Sequence, residues 1–291
     1  MLDKAAQNIG KFGKYKSTFG IAFGRREIFI WATTLIFLNH LFDVAKNMPS
    51  ESFTKLVSDL GTVGIFQYMA WYAIVRLIAT SDPIPVARWR DFVITAAFWV
   101  LLFLPTNRMI WVAAAGIALC LWTFNEGDPK LRAAGAVLAA LSVQEFWGHI
   151  FFNLVAFPLL RAETAVVGTM LEAARTGTVW QDNIVTGPSG YGIVIYTGCS
   201  SFHNLSLAML CWVTVSKLRH QNWRLHDFII GAVVALTMIV FNLARLCLMA
   251  WDVDLFYYWH DGFGAEIFAT SASLTILLIS LYGSSSARRP T

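Results

Sequence analysis

Residues 228–250, FIIGAVVALTMIVFNLARLCLMA, form a predominantly apolar run in which Arg245 is the one charged residue. A helix of about 20 such residues crosses the hydrocarbon core of a membrane. The rest of the chain has the same character: 57% of its 291 residues are hydrophobic, 14% are charged, and the mean hydropathy is +0.57. Soluble domains carry about 25% charged residues. The sequence therefore predicts an integral membrane protein.

The fold class that we predict is an all-α polytopic membrane protein with about eight transmembrane helices. Two of the apolar segments are short and are joined tightly at Pro105-Thr106-Asn107, so a re-entrant pair is the alternative at that point. Residues 1–291 are predicted to form a single transmembrane domain. Besides 228–250, the apolar segments lie at 28–42, 63–79, 92–104, 109–124, 133–160, 198–216 and 264–282.

The lysines and arginines between the spans predict the orientation of the chain, because short cytoplasmic loops are enriched in them. With the N-terminus in the cytoplasm, fifteen of these residues fall in cytoplasmic segments and five in extracytoplasmic ones. The predicted topology therefore places both termini in the cytoplasm, in the plasma (inner) membrane. Arg76 lies close enough to a helix end to snorkel into the interface, whereas Arg245 lies deeper and is a functional-site candidate.

The longest predicted extracytoplasmic segment is 161–197. Its first part, RAETAVVGTMLEAARTG, has the spacing of a short amphipathic helix on the membrane surface. β-branched and aromatic residues then flank Gly187-Pro188-Ser189-Gly190, which favours a β-hairpin. The edge of a hairpin can bind an extended peptide as a further strand. We therefore predict a substrate-recognition loop here, with an ordinary solvated loop as the alternative.

Cys199 begins the sixth predicted span at its extracytoplasmic end. A helix N-terminus favours a thiolate, through the helix dipole and the free N–H groups. Cys120 and Cys211 have the character of small core residues, and Cys247, two positions from Arg245, is predicted to point to the other side of its helix. No CxxC spacing occurs, which argues against a disulfide framework and a zinc site. No basic stripe is interleaved with aromatic residues, so nucleic-acid binding is not expected.

Two further polar groups fall at the same membrane level as Cys199. Arg245 lies in the extracytoplasmic half of the seventh span, and His260 lies at the start of the eighth. A cysteine nucleophile needs a neighbouring base and a positive group that stabilises the developing oxyanion. Cys199, His260 and Arg245 are candidates for the nucleophile, the base and the positive group, respectively. Separately, each has a simpler interpretation: a packing cysteine, an arginine at the lipid headgroups, and a histidine of an interfacial aromatic belt.

Three short motifs on successive spans are GCSS at 198–201, NLAR at 242–245 and HDGFG at 260–264. In this order they resemble the Cys, N-x-x-R and H-x-x-x-G pattern of the exosortase/archaeosortase family of membrane transpeptidases. The resemblance covers the C-terminal part of the chain, and the first five spans share only their hydrophobicity. The chain departs from the family pattern at Ser201, where the family commonly has glycine. This difference bears on how closely the backbone at that position can approach a substrate.

The resemblance implies a membrane-embedded cysteine transpeptidase or protease. Its substrates would be secreted proteins with a C-terminal sorting signal, composed of a short motif, a transmembrane helix and a basic tail. By position, Cys199 would be the nucleophile, His260 the proton-transfer residue and Arg245 the stabiliser of the oxyanion or substrate carbonyl. The cleaved protein would pass to a surface polysaccharide or glycolipid acceptor. The other expected partner is membrane lipid, and no cofactor or metal is expected.

Polar residues close to these positions are predicted to bind the substrate. His203 is one helical turn from the cysteine and is an alternative base. Ser200 and Ser201 are predicted to hydrogen-bond at the helix start, and Asn242 is predicted to orient Arg245. The predicted substrate-binding set is Asn242, His203, Ser200, Ser201 and Tyr196.

Two rival classes of function are compatible with the sequence. Glu145 and His149, spaced i, i+4 in the fifth span, could bind a metal or relay protons, as in an intramembrane metalloprotease or a polytopic transporter. A hydrogen-bonded pair that holds the bundle together is the simpler interpretation, since two ligands do not complete a metal site and no HExxH motif occurs. A purely structural protein is the other class, and it would leave Cys199 and His260 individually replaceable.

Overall fold

A computed structural model describes residues 24–46, 64–82, 91, 95–96, 108–124, 127–174 and 176–286. Helices make up most of this part of the chain, in agreement with the predicted helical class. A π-helical turn, Val143–Trp147, leads directly into the helix that begins at Gly148, and a 3₁₀ turn, Thr197–Cys199, lies just before the helix that begins at Ser201. The helices are α1 (Arg25–Lys46), α2 (Ile65–Ala79), α3 (Arg108–Thr123), α4 (Pro129–Ser142), α5 (Gly148–Ala174), α6 (Ser201–Arg219), α7 (Leu225–Trp251), α8 (Val253–His260) and α9 (Phe263–Ser286).

Some helices in the described ranges have the length and apolar composition of membrane-spanning helices, as the mean hydropathy of the chain predicts. Two apolar helices, Ile65–Ala79 and Met109–Thr123, are shorter than a full span. The predicted segment 92–104 lies almost entirely outside the described residues. Within the described ranges, three helical stretches are long and apolar enough to cross a membrane. They are Pro129–Ala174, which comprises α4, the π-helical turn and α5, Leu225–Trp251 and Phe263–Ser285.

The larger core is built around α4, which packs against α2, α3 and α6. Gly135 allows α4 to approach α3 closely, because an added Cβ would lie 2.8 Å from the Ala118 carbonyl oxygen. Small residues commonly bring the backbones of membrane helices together in this way. On the other side of the core, α6, α7 and α9 pack against one another. α6 therefore packs between α4 on one side and α7 and α9 on the other.

A second, smaller core lies between α5, the β-sheet and the C-terminal end of α7. Val167 of α5, Val185 and Ile195 from the sheet region, and Leu246 of α7 are among its buried residues. Cys199 packs, partly buried, against this cluster. The sheet is therefore held directly beside the candidate nucleophile.

The sheet contains three short antiparallel strands, β1 (Val179–Gln181), β2 (Ile184–Thr186) and β3 (Gly192–Val194), in the order β1-β2-β3. The turn between β2 and β3 carries the glycine and proline signal that the sequence shows. Gly190 in this turn has a φ of +80°, a left-handed conformation that favours glycine. The sequence pattern does not indicate β1, which adds a further strand to the sheet.

The segment predicted as a separate amphipathic helix is instead the C-terminal half of α5, which continues through Pro158. Most residues after Pro158 are good helix formers, so nothing there ends the helix. The apolar stripe of this segment includes Val167 and Gly168, which are buried. The Trp180 ring of β1 lies so close to Gly168 that a Cβ would not fit. The amphipathic spacing therefore reflects packing against the sheet.

Candidate active site

Cys199 closes the single 3₁₀ turn that immediately precedes α6. Its backbone N–H donates to the Tyr196 carbonyl oxygen at 3.0 Å. The Ser200 hydroxyl accepts a hydrogen bond from the Phe202 N–H at 3.3 Å and so satisfies one of the free donors at the helix start. This confirms the capping role predicted for Ser200. Cys199 itself lies outside the regular helix, in the turn before it.

Cys199 and His260 lie together although 61 positions separate them: Sγ is 3.6 Å from Nε2. His260 is the last residue of α8, and its ring stacks on the Phe256 ring at a centroid distance of 4.9 Å. The other ring nitrogen, Nδ1, lies 2.8 Å from Asp261 Oδ1. Thiol, imidazole and carboxylate therefore have the order of a Cys-His-Asp triad.

Arg245 extends from α7 into the same region and is half-buried. Its Nε donates to the Trp259 carbonyl oxygen at 3.0 Å, and its guanidinium carbon lies 4.9 Å from the centroid of the Phe268 ring. The sequence suggested Asn242 as the orienting residue, whereas the observed partner is Trp259. The charge of Arg245 acts on the Cys199 thiol. Snorkelling to lipid headgroups does not account for these inward contacts.

The charge state of Cys199 differs from the expectation for a helix N-terminus. Burial raises the pKa of its thiol above the ordinary value, and the charges of Glu163 and Asp261 act in the same direction. The charge of Arg245 lowers the pKa but does not outweigh burial. Burial removes the water that would solvate a thiolate, and the sequence pattern does not show this burial. The resting residue is therefore a thiol that needs a proton acceptor, and His260 is in contact with it.

Glu163 of α5 lies beside the turn that holds Cys199. Its Oε1 accepts hydrogen bonds from the Ser201 N–H at 2.9 Å, from the Ser201 hydroxyl and from the Asn242 amide at 3.4 Å. The same amide nitrogen donates to the Cys199 carbonyl oxygen at 2.9 Å. Asn204 donates to Asn242 Oδ1 at 3.3 Å. One connected set of hydrogen bonds thus joins α5, α6 and α7 to the backbone of the cysteine.

The substrate-binding residues predicted from the sequence have three different locations. Ser200, Ser201 and Asn242 are buried, so they hold the turn that contains Cys199 and do not present a surface to a substrate. Tyr196 is 64% exposed, between the sheet and the 3₁₀ turn, where a substrate can reach it. The side chain of His203 lies outside the described residues.

Sequence reasoning does not identify two residues of this site, Asp261 and Glu163. Asp261 directly follows His260 within the HDGFG motif, and that adjacency is the available signal. Glu163 gives no comparable signal, because it belongs to a stretch interpreted as a surface helix and lies 38 positions from Ser201. Its role depends on the packing of α5 against the start of α6.

Glu145 and His149, the residues of the rival interpretation, lie near the junction of α4 and α5. Glu145 is in the π-helical turn and accepts a hydrogen bond from the Gln67 side chain. His149 lines a cavity of about 240 Å³ together with Thr197 and other residues. Within the ranges that the structure describes, no group of three or more His, Cys, Asp or Glu side chains is arranged to hold a metal ion. This part of the chain thus offers no third ligand to the pair.

No family model, no functionally characterised protein and no solved structure matches this chain. The functional conclusion therefore depends on the geometry of Cys199, His260 and Arg245. That geometry suits attack by a thiol on an acyl carbon, with a base in contact and a cation nearby.

Proposed function

We propose that the protein is a membrane-embedded cysteine transpeptidase or protease, similar to the exosortase/archaeosortase family. It cleaves the C-terminal sorting signals of secreted proteins and transfers the proteins to a cell-surface acceptor. The observation that carries the proposal is the 3.6 Å contact between Cys199 Sγ and His260 Nε2. A packing cysteine needs no base beside it, whereas a thiol nucleophile with a raised pKa does.

The first chemical step is attack by Cys199. His260 Nε2 accepts the thiol proton, and Sγ forms a bond to the carbonyl carbon of the scissile peptide. Negative charge develops on the carbonyl oxygen of the tetrahedral intermediate. Arg245 stabilises that charge, because a guanidinium stays protonated at neutral pH and does not act as a base. Asp261 stabilises the imidazolium through Nδ1.

The second step releases the C-terminal part of the substrate. His260 donates its proton to the leaving amine, the C–N bond breaks, and the acyl group stays on Cys199 as a thioester. The leaving transmembrane helix, with its new amino terminus, stays in the membrane. His260 then accepts a proton from the incoming acceptor or from water, which attacks the thioester. Cys199 leaves as the thiolate and recovers a proton from the imidazolium.

Two features support the path that we propose for the substrate: the exposed edge of the sheet and the cavity that Arg245 lines. In this proposal the chain crosses the membrane about eight times, and the segment 161–197 is extracytoplasmic. β3 is an edge strand of the sheet, and the chain runs from β3 directly into the turn of Cys199. A peptide paired with this hairpin edge would run toward the nucleophile. Arg245 lines a mostly apolar cavity of about 250 Å³, which would receive side chains next to the scissile bond.

Comparison of protein C-termini in the native host, with and without the gene, tests the proposal. In the deletion strain we expect a defined set of secreted proteins to keep an intact hydrophobic C-terminal tail, preceded by a shared short motif. Mass spectrometry of membrane proteins detects these tails, and reintroduction of the gene should remove them. Identical C-termini in the two strains would contradict the proposal.

Asp261→Asn is expected to slow turnover by about 10- to 100-fold. The amide can keep contact with His260 but lacks the charge that stabilises the imidazolium. Replacing a buried orienting carboxylate by its amide lowers kcat about 10⁴-fold. Asp261 is 69% exposed, so water screens its charge and we expect a smaller loss of rate. The measurement is the cleavage rate of a reporter protein with a native sorting signal. Asp254→Asn, in the first turn of α8, should keep the wild-type rate. Equal rates for both variants would exclude a role for Asp261.

A further inference from the structure

Glu163 connects α5 to the turn that carries the nucleophile. Its side chain is 7% exposed, and its partners Ser201 and Asn242 are 38 and 79 positions away. The two peptide groups that follow Cys199 are each held. Asn242 binds the carbonyl oxygen of the first at 2.9 Å, and Glu163 binds the N–H of the second at 2.9 Å. The position of the cysteine therefore depends on a helix that contributes nothing else to the proposed chemistry.

The burial of Glu163 carries a cost, because a carboxylate that leaves water loses solvation. The start of α6 offsets part of that cost, since free N–H groups and the helix dipole favour a negative charge there. Oε2, however, is buried and has no hydrogen-bond partner among the described residues. An apolar side chain would avoid this cost but would leave the buried Ser201 N–H and hydroxyl without their acceptor. The acid at this position is therefore tied to the backbone of the turn that it binds.

We propose that Glu163 is a positioning residue for the nucleophile: it fixes the backbone at residues 199–201 and thereby holds Cys199 Sγ against His260. The kinetic consequence rests on the proposed function, in which the thiol must reach both the imidazole and the scissile carbonyl. A displacement of about 1 Å costs on the order of 100-fold in rate.

Glu163 also influences the charge of the thiol. Among the described side chains, the charged and titratable groups around Cys199 are Arg245 from α7, His260 and Asp261 at the end of α8, and Glu163 from α5. The negative charge of Glu163 raises the pKa of Cys199. Loss of the charge with the hydrogen bonds kept should therefore lower that pKa, whereas loss of the hydrogen bonds should displace the thiol. Different substitutions separate these two effects.

Glu163→Gln removes the charge and keeps an acceptor oxygen, while Glu163→Ala removes both. Glu172→Gln is the matched control, because Glu172 lies on the same helix and accepts the Thr178 N–H at 2.6 Å. The rate of alkylation by iodoacetamide is measured against pH in the purified full-length protein. The signal is confined to Cys199 by alanine substitution of the other free cysteines, which are Cys120, Cys211 and Cys247.

We expect Glu163→Gln to move the alkylation midpoint to lower pH and to keep cleavage within a few-fold of the wild type. Glu163→Ala should lower kcat about 100-fold with little change in KM. Glu172→Gln should match the wild type in both assays. The proposed positioning role is wrong if folded Glu163→Ala has wild-type kcat. The separate effect on the thiol charge is wrong if the Glu163→Gln alkylation profile overlays that of the wild type.

The alkylation assay separates failure of this inference from failure of the proposed function, because it needs no sorting-signal substrate. If Cys199→Ala processes normally in cells, the proposed function is wrong, while the alkylation profile still reports on Glu163. If Glu163→Ala does not accumulate in membranes, Glu163→Asp replaces it, because the shorter side chain keeps the charge but withdraws the acceptor from the Ser201 N–H. A lower kcat with little change in KM supports the proposal, and wild-type kcat contradicts it.

Discussion

Cys199→Ala is expected to lower the rate at which sorting signals are cleaved by a factor of about 10⁴ or more. Loss of the nucleophile removes the covalent intermediate, so His260 and Arg245 cannot compensate. In the native host, the variant should accumulate the same tail-bearing proteins as the deletion strain, which mass spectrometry of C-termini detects. With purified enzyme and substrate, hydroxylamine should release a hydroxamate from the wild-type thioester and none from the variant.

Cys247→Ala is the matched control for this experiment. Cys247 lies on α7, two positions from Arg245, and packs partly buried against the smaller core. We expect this variant to process substrates like the wild type, because its side chain contributes packing. If Cys199→Ala also processes like the wild type, the thiol is not the nucleophile and a structural function regains support.

The helical class could be predicted from the sequence because hydropathy reports directly on the cost of placing polar groups in lipid. The course of α5 could not. Its second half has amphipathic spacing, and such spacing is the same whether the apolar stripe faces a membrane surface or another part of the protein. The stripe around Val167 packs against the sheet, and β1, which completes that packing, is too short to give a pattern of its own.

The pairing of Cys199 with His260 could be anticipated because Cys199 begins the sixth predicted span and His260 lies at the start of the eighth, which places both at the extracytoplasmic side. Their surroundings could not be anticipated. Whether a thiol ionises depends on burial, which the position at a helix start does not reveal. Here burial raises the pKa of Cys199 by more than the charge of Arg245 lowers it. Glu163 reaches the site only through packing between α5 and α6. The sequence thus indicated the candidate reacting groups, whereas the burial of Cys199 and the hydrogen bonds around it could be seen only in the fold.

Arg245→Met is expected to lower cleavage by about 10²- to 10³-fold, the usual effect of losing one group that stabilises an oxyanion. Methionine has a similar length and can fill the space over the Phe268 ring without a charge. The positive charge of Arg245 lowers the pKa of Cys199 against the effect of burial, so its loss should raise that pKa further. The thiolate fraction at a given pH then falls. The alkylation midpoint should therefore move to higher pH, opposite to the shift expected for Glu163→Gln.

Arg245→Lys separates the charge of this residue from its geometry. Lysine keeps the positive charge but has no Nε–H to donate to the Trp259 carbonyl oxygen. We expect an alkylation profile close to that of the wild type and a cleavage rate between those of the wild type and Arg245→Met. Arg76→Met is the control, since Arg76 is exposed on α2 and contacts the Tyr72 hydroxyl, and it should change neither measurement. Wild-type cleavage by Arg245→Met would mean that another group stabilises the oxyanion.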